Sequence, residues 1–193
     1  LDSPVRNVLW GGGNLIVDNV GQGVWISNSG GGGNRVLVNE MTGNGGIDID
    51  LAAAGASPNQ PLNPDTGPNR MQNHPVLTSA TRFQANGTIR VTGGMHSAPS
   101  STSRIDVYFD GACDVSSPAR GNALAWRGRG SMTTNGSGDG SFNLIVPAFP
   151  GEANLGVVAA TATSAGGDTS EISNCVAETS GTLVDPVFAN GME

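Results

Sequence analysis

Three aspartates near a proline-rich stretch are the residues whose type could bind a cation. Asp48 and Asp50 lie in GIDID, and Asp65 lies in NPDTGPN, a segment rich in carbonyl groups. Calcium binds carboxylate and carbonyl oxygens from flexible loops, so the three residues could form a calcium site. Asp and Asn also cap turns by bonding their own backbone, and no D-x-D-x-D-G pattern with a closing glutamate is present. We therefore expect no cofactor, with calcium as the alternative.

The two histidines, His74 and His96, could act as general bases only with a carboxylate or a nucleophile within hydrogen-bond reach. The sequence offers neither in a pairing motif. It also lacks a G-x-S-x-G elbow and a phosphate-binding loop in front of a helix. His74 lies in PDTGPNRMQNHPVL, where three prolines are typical of a stiff connector. We therefore predict packed or surface histidines, no catalytic residues and no enzyme.

Aromatic residues beside arginines could bind a glycan. Trp126 is flanked by Arg127 and Arg129 in an alternating segment, so these three residues are the candidate glycan site. Trp10 and Trp25 lie in apolar runs, and we predict that both belong to the core.

The charge of the chain argues against two classes of partner. The formal net charge is −7 at pH 7, and the nine basic residues are all arginines scattered along the sequence. A nucleic-acid-binding protein would show clustered positive charge, and the same scatter disfavours an anionic membrane surface. No apolar stretch approaches the length of a transmembrane helix. The start, LDSPVRNVLW, lacks the features of a signal peptide, so any secretion signal is expected upstream or already removed.

The two cysteines, Cys113 and Cys175, are too few for a disulfide scaffold and are spaced wrongly for zinc. Each lies near the end of a predicted strand in the same region, so we predict one disulfide. The alternative is a pair of unpaired buried thiols. A disulfide would imply an oxidising compartment.

An internal repeat occupies the first part of the chain. NLIVDNVGQGVWIS aligns with NRVLVNEMTGNGGIDID at a period of about 20–23 residues. This alignment matches Asn14 with Asn34 and Asn19 with Asn39. Short apolar strands separated by Asn and Gly turns are typical of a right-handed parallel β-helix. We predict terminal rungs over residues 1–56, with an open end that exposes strand edges.

The pattern of the second half is different, with alternating apolar and polar residues and hairpin turns such as NGSGDG. Six or seven short antiparallel strands over residues 79–178 indicate an immunoglobulin-like β-sandwich. Residues 57–78 form a proline-rich connector in this division of the chain. The predicted fold is therefore all-β: a short right-handed parallel β-helix segment followed by an immunoglobulin-like antiparallel β-sandwich. The predicted strands are 87–95, 103–110, 122–134, 140–148, 154–164 and 169–177.

The chain also resembles a known family. GIDIDLAAAGASPNQPLNPDTGPNRMQNHPVLTSA is similar to the junction of bacterial secreted right-handed parallel β-helix repeat proteins, where a rung ending in GIDL precedes a PND…DTGPN…QNFPVLTSA connector. ACD, NGSGDGSF and ATATSAGGDTSEISNCV resemble the immunoglobulin-like module that follows it. The likeness covers about residues 14–178, and His74 stands where that family usually has phenylalanine. It implies a cell-surface or extracellular location in a Gram-negative bacterium, without a settled activity.

Residues 179–193 form a predicted tail. The ending DPVFANGME resembles the short F-x-N/D-G-F-E ending of many secreted gammaproteobacterial proteins, with Met192 in place of phenylalanine. The tail is either a secretion or sorting signal or a strand that adds to the sheet edge of a neighbour. The apolar residues that would dock in the second case are Leu183, Val184, Val187 and Phe188.

These patterns predict a non-enzymatic extracellular structural or adhesive protein that self-assembles into filaments through the open β-helix end and the tail. The alternative is a carbohydrate-binding or accessory module of a larger polysaccharide-processing β-helix protein. A surface enzyme with a calcium-dependent site is a third class. The expected partners are another copy or upstream rungs, with a glycan as the alternative, and we expect no nucleic acid and no membrane insertion.

Overall fold

The computed structural model describes residues 8–10, 14–29, 31–52, 55–63, 66–114, 120–149 and 155–182, with residues 8–10 as backbone only. This part of the chain forms thirteen strands and one 3-10 turn, so the prediction of an all-β protein is confirmed. None of its helical segments is long and apolar enough to span a membrane. The strands are β1 (Val8–Trp10), β2 (Leu15–Val17), β3 (Val24–Ile26), β4 (Arg35–Leu37), β5 (Glu40–Thr42), β6 (Ile49–Leu51), β7 (Val76–Phe83), β8 (Thr88–His96), β9 (Thr102–Asp110), β10 (Ala125–Thr133), β11 (Asp139–Pro147), β12 (Val157–Ser164) and β13 (Val176–Ser180).

The first six strands form three parallel pairs, which we call the N-terminal stack. β1 pairs with β4, β2 with β5, and β3 with β6. Asparagine side chains connect the two turns of the stack at a separation of 25 residues. Asn14 Nδ2 donates to Asn39 Oδ1 at 2.9 Å, and Asn19 Nδ2 donates to Asn44 Oδ1 at 2.8 Å.

The predicted alignment of the repeat was wrong. It matched Asn14 with Asn34 and Asn19 with Asn39, at a period that is too short. The run RVLV looks like a repeat of NLIV, but Arg35–Leu37 pairs with Val8–Trp10. Each turn of the stack therefore contains three short strands rather than two.

The other seven strands form one sheet in the order β10-β9-β12-β13-β7-β8-β11. β13 joins its two halves, since it is antiparallel to β12 and parallel to β7. The edge strands β10 and β11 follow one another in the chain and pack together, with Val146 against Gly128 and Leu144 against Gly130. The sheet consequently nearly closes on itself.

The strand predictions missed β7, which begins at Val76 inside the predicted connector. The predicted strand 169–177 is mostly an irregular segment that leads to β13, and β13 extends into the predicted tail, to Ser180. In that segment Ser170 Oγ and Ser173 Oγ accept the N–H groups of Ala162 and Ala160, at 3.0 and 2.9 Å. Serine side chains thus take part in pairing with β12, which interrupts the regular backbone ladder.

Two apolar clusters hold the fold together. The first fills the inside of the sheet and includes Ile89, Val91, Ile105 and Val107. The second lies between the stack and the outer face of the sheet, and burying each such aliphatic side chain stabilises the fold by about 1.5–3 kcal/mol. Its members are Val24, Ile26, Val36, Met41, Ile49, Leu51, Tyr108, Ala123, Ala159 and Ile172. The sheet therefore covers one side of the stack.

Candidate functional site

The aspartates of the predicted calcium site accept hydrogen bonds from amide groups. Asp48 accepts the Asn44 side-chain amide and the Ala123 backbone N–H, both at 2.8 Å. Asp50 likewise accepts two N–H groups at 2.8 Å, and burial raises the pKa of both carboxyls. Across the described ranges, no three Asp, Glu, His or Cys residues are grouped to hold a metal ion. Asp65 lies outside those ranges, so the calcium site stays a prediction.

The predicted glycan residues do not form one open surface. Trp126 is half-buried, and its Nε1 donates to the buried Asp106 Oδ1 at 2.9 Å. Arg127 is only 2% exposed, and its guanidinium lies 3.8 Å from the centre of the Phe149 ring. Arg129 is exposed. A bulge in β10 between Trp126 and Gly128 contributes to this separation.

The tryptophan predictions need one correction. Trp25 was predicted to be core, yet it is 49% exposed, and its Nε1 donates to the Ala52 carbonyl at 2.8 Å. The apolar run VWI predicted a buried tryptophan, but side chains alternate along β3. Val24 and Ile26 point into the second apolar cluster, and Trp25 between them points outward. The side chain of Trp10 is outside the described part of the structure.

The predicted disulfide between Cys113 and Cys175 is confirmed, with the two Cα atoms 5.7 Å apart. It connects the loop after β9 to the start of β13. The tail residues proposed for docking are Leu183, Val184, Val187 and Phe188, which lie outside the described residues. Strand addition by the tail therefore stays a prediction.

His74, Arg120 and Glu171 form a buried cluster where the connector, the stack and the sheet meet. Arg120 Nη1 donates to His74 Nε2, and Arg120 Nη2 lies 3.6 Å from Glu171 Oε2. Glu171 also accepts the N–H groups of Leu51 and Ser57, at 3.3 and 2.8 Å. Burial raises the pKa of Glu171 to about 7. Burial, helped by the positive charge of Arg120, lowers the pKa of His74 to about 4.

A cavity of about 10 Å³ lies beside the cluster, which is close to the minimum for one water molecule. His74 packs against Arg120 there and connects the connector to the segment before β10. His96 does have a carboxylate partner, which sequence reasoning missed: its Nδ1 lies 2.8 Å from Asp139 Oδ1, across the β8–β11 pair.

The connector contains an unusual backbone turn. Asn69, Arg70 and Met71 have φ angles of 46°, 49° and 48°, a left-handed conformation that costs L-residues about 1–2 kcal/mol each. The buried Asn69 stabilises this turn, because its Nδ2 donates to the carbonyls of Asn34 and Thr169, both at 2.8 Å. The turn is thereby clamped between the stack and the sheet.

The left-handed turn places Arg70 in the wall of an open groove. Two adjoining recesses, of about 520 and 330 Å³, share Thr102, Ser164 and Ala165 and together form this groove. Its cationic side chains are Arg35, Arg70 and Arg104, so we call it the arginine groove. The wall also contains the carboxylate residue Asp168 and the amide residues Asn63 and Gln72. Its hydroxyl-bearing residues are Ser97, Ser100, Ser101, Thr102, Ser103, Thr163 and Ser164.

Sequence reasoning missed this groove because its arginines come from three separate elements, β4, the connector turn and β9. The sequence contains only a weak local signal, the amide-rich run PNRMQN around Arg70. Asparagine tolerates positive φ better than most residues, and it occurs directly before Arg70.

The stack has an open edge, which consists of β1, β2 and β3. Within the described residues these strands pair on one side only. Glu40 N–H donates to the Asn14 carbonyl, and Asp18 N–H donates to the Thr42 carbonyl. Because successive residues of a strand direct their backbone groups to opposite sides, the N–H and C=O groups of Leu15 point away from β5. Apolar side chains are exposed on the same turn, with Leu15 62% exposed and Val20 fully exposed.

Comparison with known proteins does not supply a function for this chain. No protein-family model matches the sequence. No curated protein matches it either. The function must therefore be inferred from the open edge and the arginine groove.

Proposed function

We propose that this chain is a non-enzymatic extracellular structural or adhesive protein that assembles through the open edge of its N-terminal stack. The observation that carries the proposal is that, among the described strands, β2 and β3 each pair on one side only, beside exposed apolar side chains. Unpaired strand edges of this kind template the addition of further strands. The occupant that we propose is a second copy of the chain.

The repeating geometry of the stack supports this proposal. Asn14 bonds to Asn39 and Asn19 bonds to Asn44 at the same separation, so a further turn could extend the same ladder. The seven-stranded sheet covers the opposite side of the stack, which confines the addition to one end. A heterologous contact of this kind, with the tail as its other half, would generate filaments.

The finer architecture belongs to the same proposal. On this view the stack is a short right-handed parallel β-helix, the sheet is an immunoglobulin-like module, and the chain is related to the bacterial secreted β-helix repeat proteins. The Cys113–Cys175 disulfide supports an extracellular location, because disulfides persist in oxidising compartments. The alternative carbohydrate module with Trp126, Arg127 and Arg129 is less well supported, since Arg127 is buried.

The open edge can be tested with Leu15→Lys/Val20→Lys. Charged side chains on an exposed edge oppose strand addition. We expect light scattering and electron microscopy to show concentration-dependent oligomers of the wild-type chain and a loss of these oligomers in the variant. Ile145→Lys is the matched control, because Ile145 is equally apolar, 65% exposed and located on β11, away from the stack. A wild-type chain that stays monomeric at every concentration would refute the proposal.

The contribution of the tail is tested separately by removing residues 183–193, because the predicted tail overlaps β13, which extends to Ser180. Shorter assemblies are expected if the tail docks on a neighbouring copy. An unchanged size distribution would mean that the open edge assembles without it.

A further inference from the structure

The arginine groove shows several features of a ligand site. Asn63, Arg70 and Ser100 line its larger recess, and all three have positive φ angles, of 53°, 49° and 50°. Such conformations persist only where the surrounding structure enforces them, and they concentrate at binding sites. The hydrogen bonds of the buried Asn69 offset the strain of this backbone and hold Arg70 at the groove.

The three arginines of the groove differ in how they are paired. Arg70 is 45% exposed, and its Nη1 donates to the buried Asp168 Oδ2 at 2.6 Å, which orients the guanidinium. Arg104 forms a two-point contact with the buried Asp106. Arg35 is exposed and forms no ion pair with any residue that the structure describes. The groove thus carries uncompensated positive charge in a chain of net charge −7.

The chemistry of the wall indicates what the groove could bind. Guanidinium groups match planar carboxylates through paired hydrogen bonds. Ser and Thr hydroxyls both donate and accept, so the hydroxyl-lined wall suits a ligand that carries many hydroxyls. The described lining contains no aromatic side chain on which a nucleobase could stack. The cations are also distributed along two recesses, which suits charges repeated along a chain.

We propose that the arginine groove binds an oligosaccharide of uronic acids. Successive carboxylates would contact Arg70 and Arg35, and the sugar hydroxyls would bond to Thr102, Ser164 and their neighbours. This site lies between the connector turn and the β9–β12 face of the sheet. It does not depend on assembly through the open edge.

The test is calorimetric titration of the full chain with tetragalacturonate at low ionic strength. The matched ligand is the fully methyl-esterified tetramer, which keeps the sugar rings but removes the charge. Tetraglutamate carries the same number of side-chain carboxylates on a peptide, so it separates a saccharide ligand from an acidic peptide. Arg70→Gln and Arg35→Gln should each weaken tetragalacturonate binding by about tenfold, since each removes a charge-assisted contact.

Arg90→Gln is the control variant, because Arg90 is exposed on β8, outside the groove, where it stacks on Phe83. It should change the affinity by less than about twofold. Arg35→Gln keeps the test informative if Arg70→Gln disturbs the fold, because Arg35 forms no described ion pair that the fold could need. The proposal is overturned if the wild-type chain does not bind tetragalacturonate. Equal binding of the methyl ester, tighter binding of tetraglutamate, or an equal loss in Arg90→Gln would also overturn it.

Discussion

Replacing His74 with phenylalanine should expose a pH dependence of stability from Glu171 that His74 cancels in the wild-type chain. The pKa of Glu171 rises on folding from 4.5 to about 7, and the pKa of His74 falls from 6.5 to about 4. Between pH 4.5 and pH 6.5, the pKa values of the unfolded chain, folding adds a proton to Glu171 and removes one from His74. The folded and unfolded chains then bind equal numbers of protons at these two sites, so the pair contributes almost no pH dependence there.

The sign and size of the expected pH dependence follow from the contributions of Glu171 and His74 taken separately. A carboxyl whose pKa is raised on folding stabilises the folded state below its unfolded pKa of 4.5, and this contribution is lost as the pH rises through about 7. A histidine whose pKa is lowered contributes stability above 6.5, which is lost as the pH falls through about 4. His74→Phe leaves only the first effect. The free energy of unfolding should then fall by about 1.4 kcal/mol per pH unit, about 3 kcal/mol in total.

The assay is urea unfolding followed by tryptophan fluorescence at a series of pH values across this window. Glu171→Gln should show the opposite slope, losing stability as the pH falls from 6.5. His96→Phe makes the same chemical change away from the cluster and should not produce the fall seen in His74→Phe. A His74→Phe profile parallel to that of the wild type would refute the reasoning, because Glu171 would then be ionised in the folded chain.

Two further substitutions test the packing of the sheet. Arg82→Met should destabilise the fold by about 3–5 kcal/mol, because it leaves the buried Glu178 carboxylate, 2.6 Å away, without its cation. Replacing both residues by Met and Leu should recover part of that loss in urea unfolding, and a double variant as unstable as the single one would contradict this. Gly121→Ala should cost about 1–3 kcal/mol, since the added Cβ would overlap Ala159. Gly111→Ala has open space and should stay within about 0.5 kcal/mol, so equal thermal shifts of the two would contradict the packing argument.

The long strands of the sheet could be predicted because their side chains alternate with a period of two. In β9 this alternation puts Ile105 and Val107 on the face opposite to Tyr108, and the structure places them in different apolar clusters. The alternation did not reveal that Tyr108 would also be buried. That burial depends on the stack, whose residues lie more than 50 positions earlier in the chain.

The stack was harder to predict because a strand of three residues carries almost no periodic pattern. The partner of Arg35–Leu37 could not be identified from apolar runs alone. The arginine groove was beyond local reasoning for another reason: a left-handed conformation at Arg70 and Met71 has no propensity signal of its own. It results from the Asn69 contacts to Asn34 and Thr169, which only the folded chain brings together.

The position of the disulfide has a mechanical consequence. Cys175 directly precedes β13, the short strand that joins the two halves of the sheet. A tensile load applied beyond Gly181 would reach β13 first and pull it from β7 and β12. Extraction would stop at Cys175, because the cross-link transfers the tension to Cys113. The described segment that would be pulled out, residues 176–182, extends to about 25 Å, so the extension under load would be short and would end at a covalent cross-link.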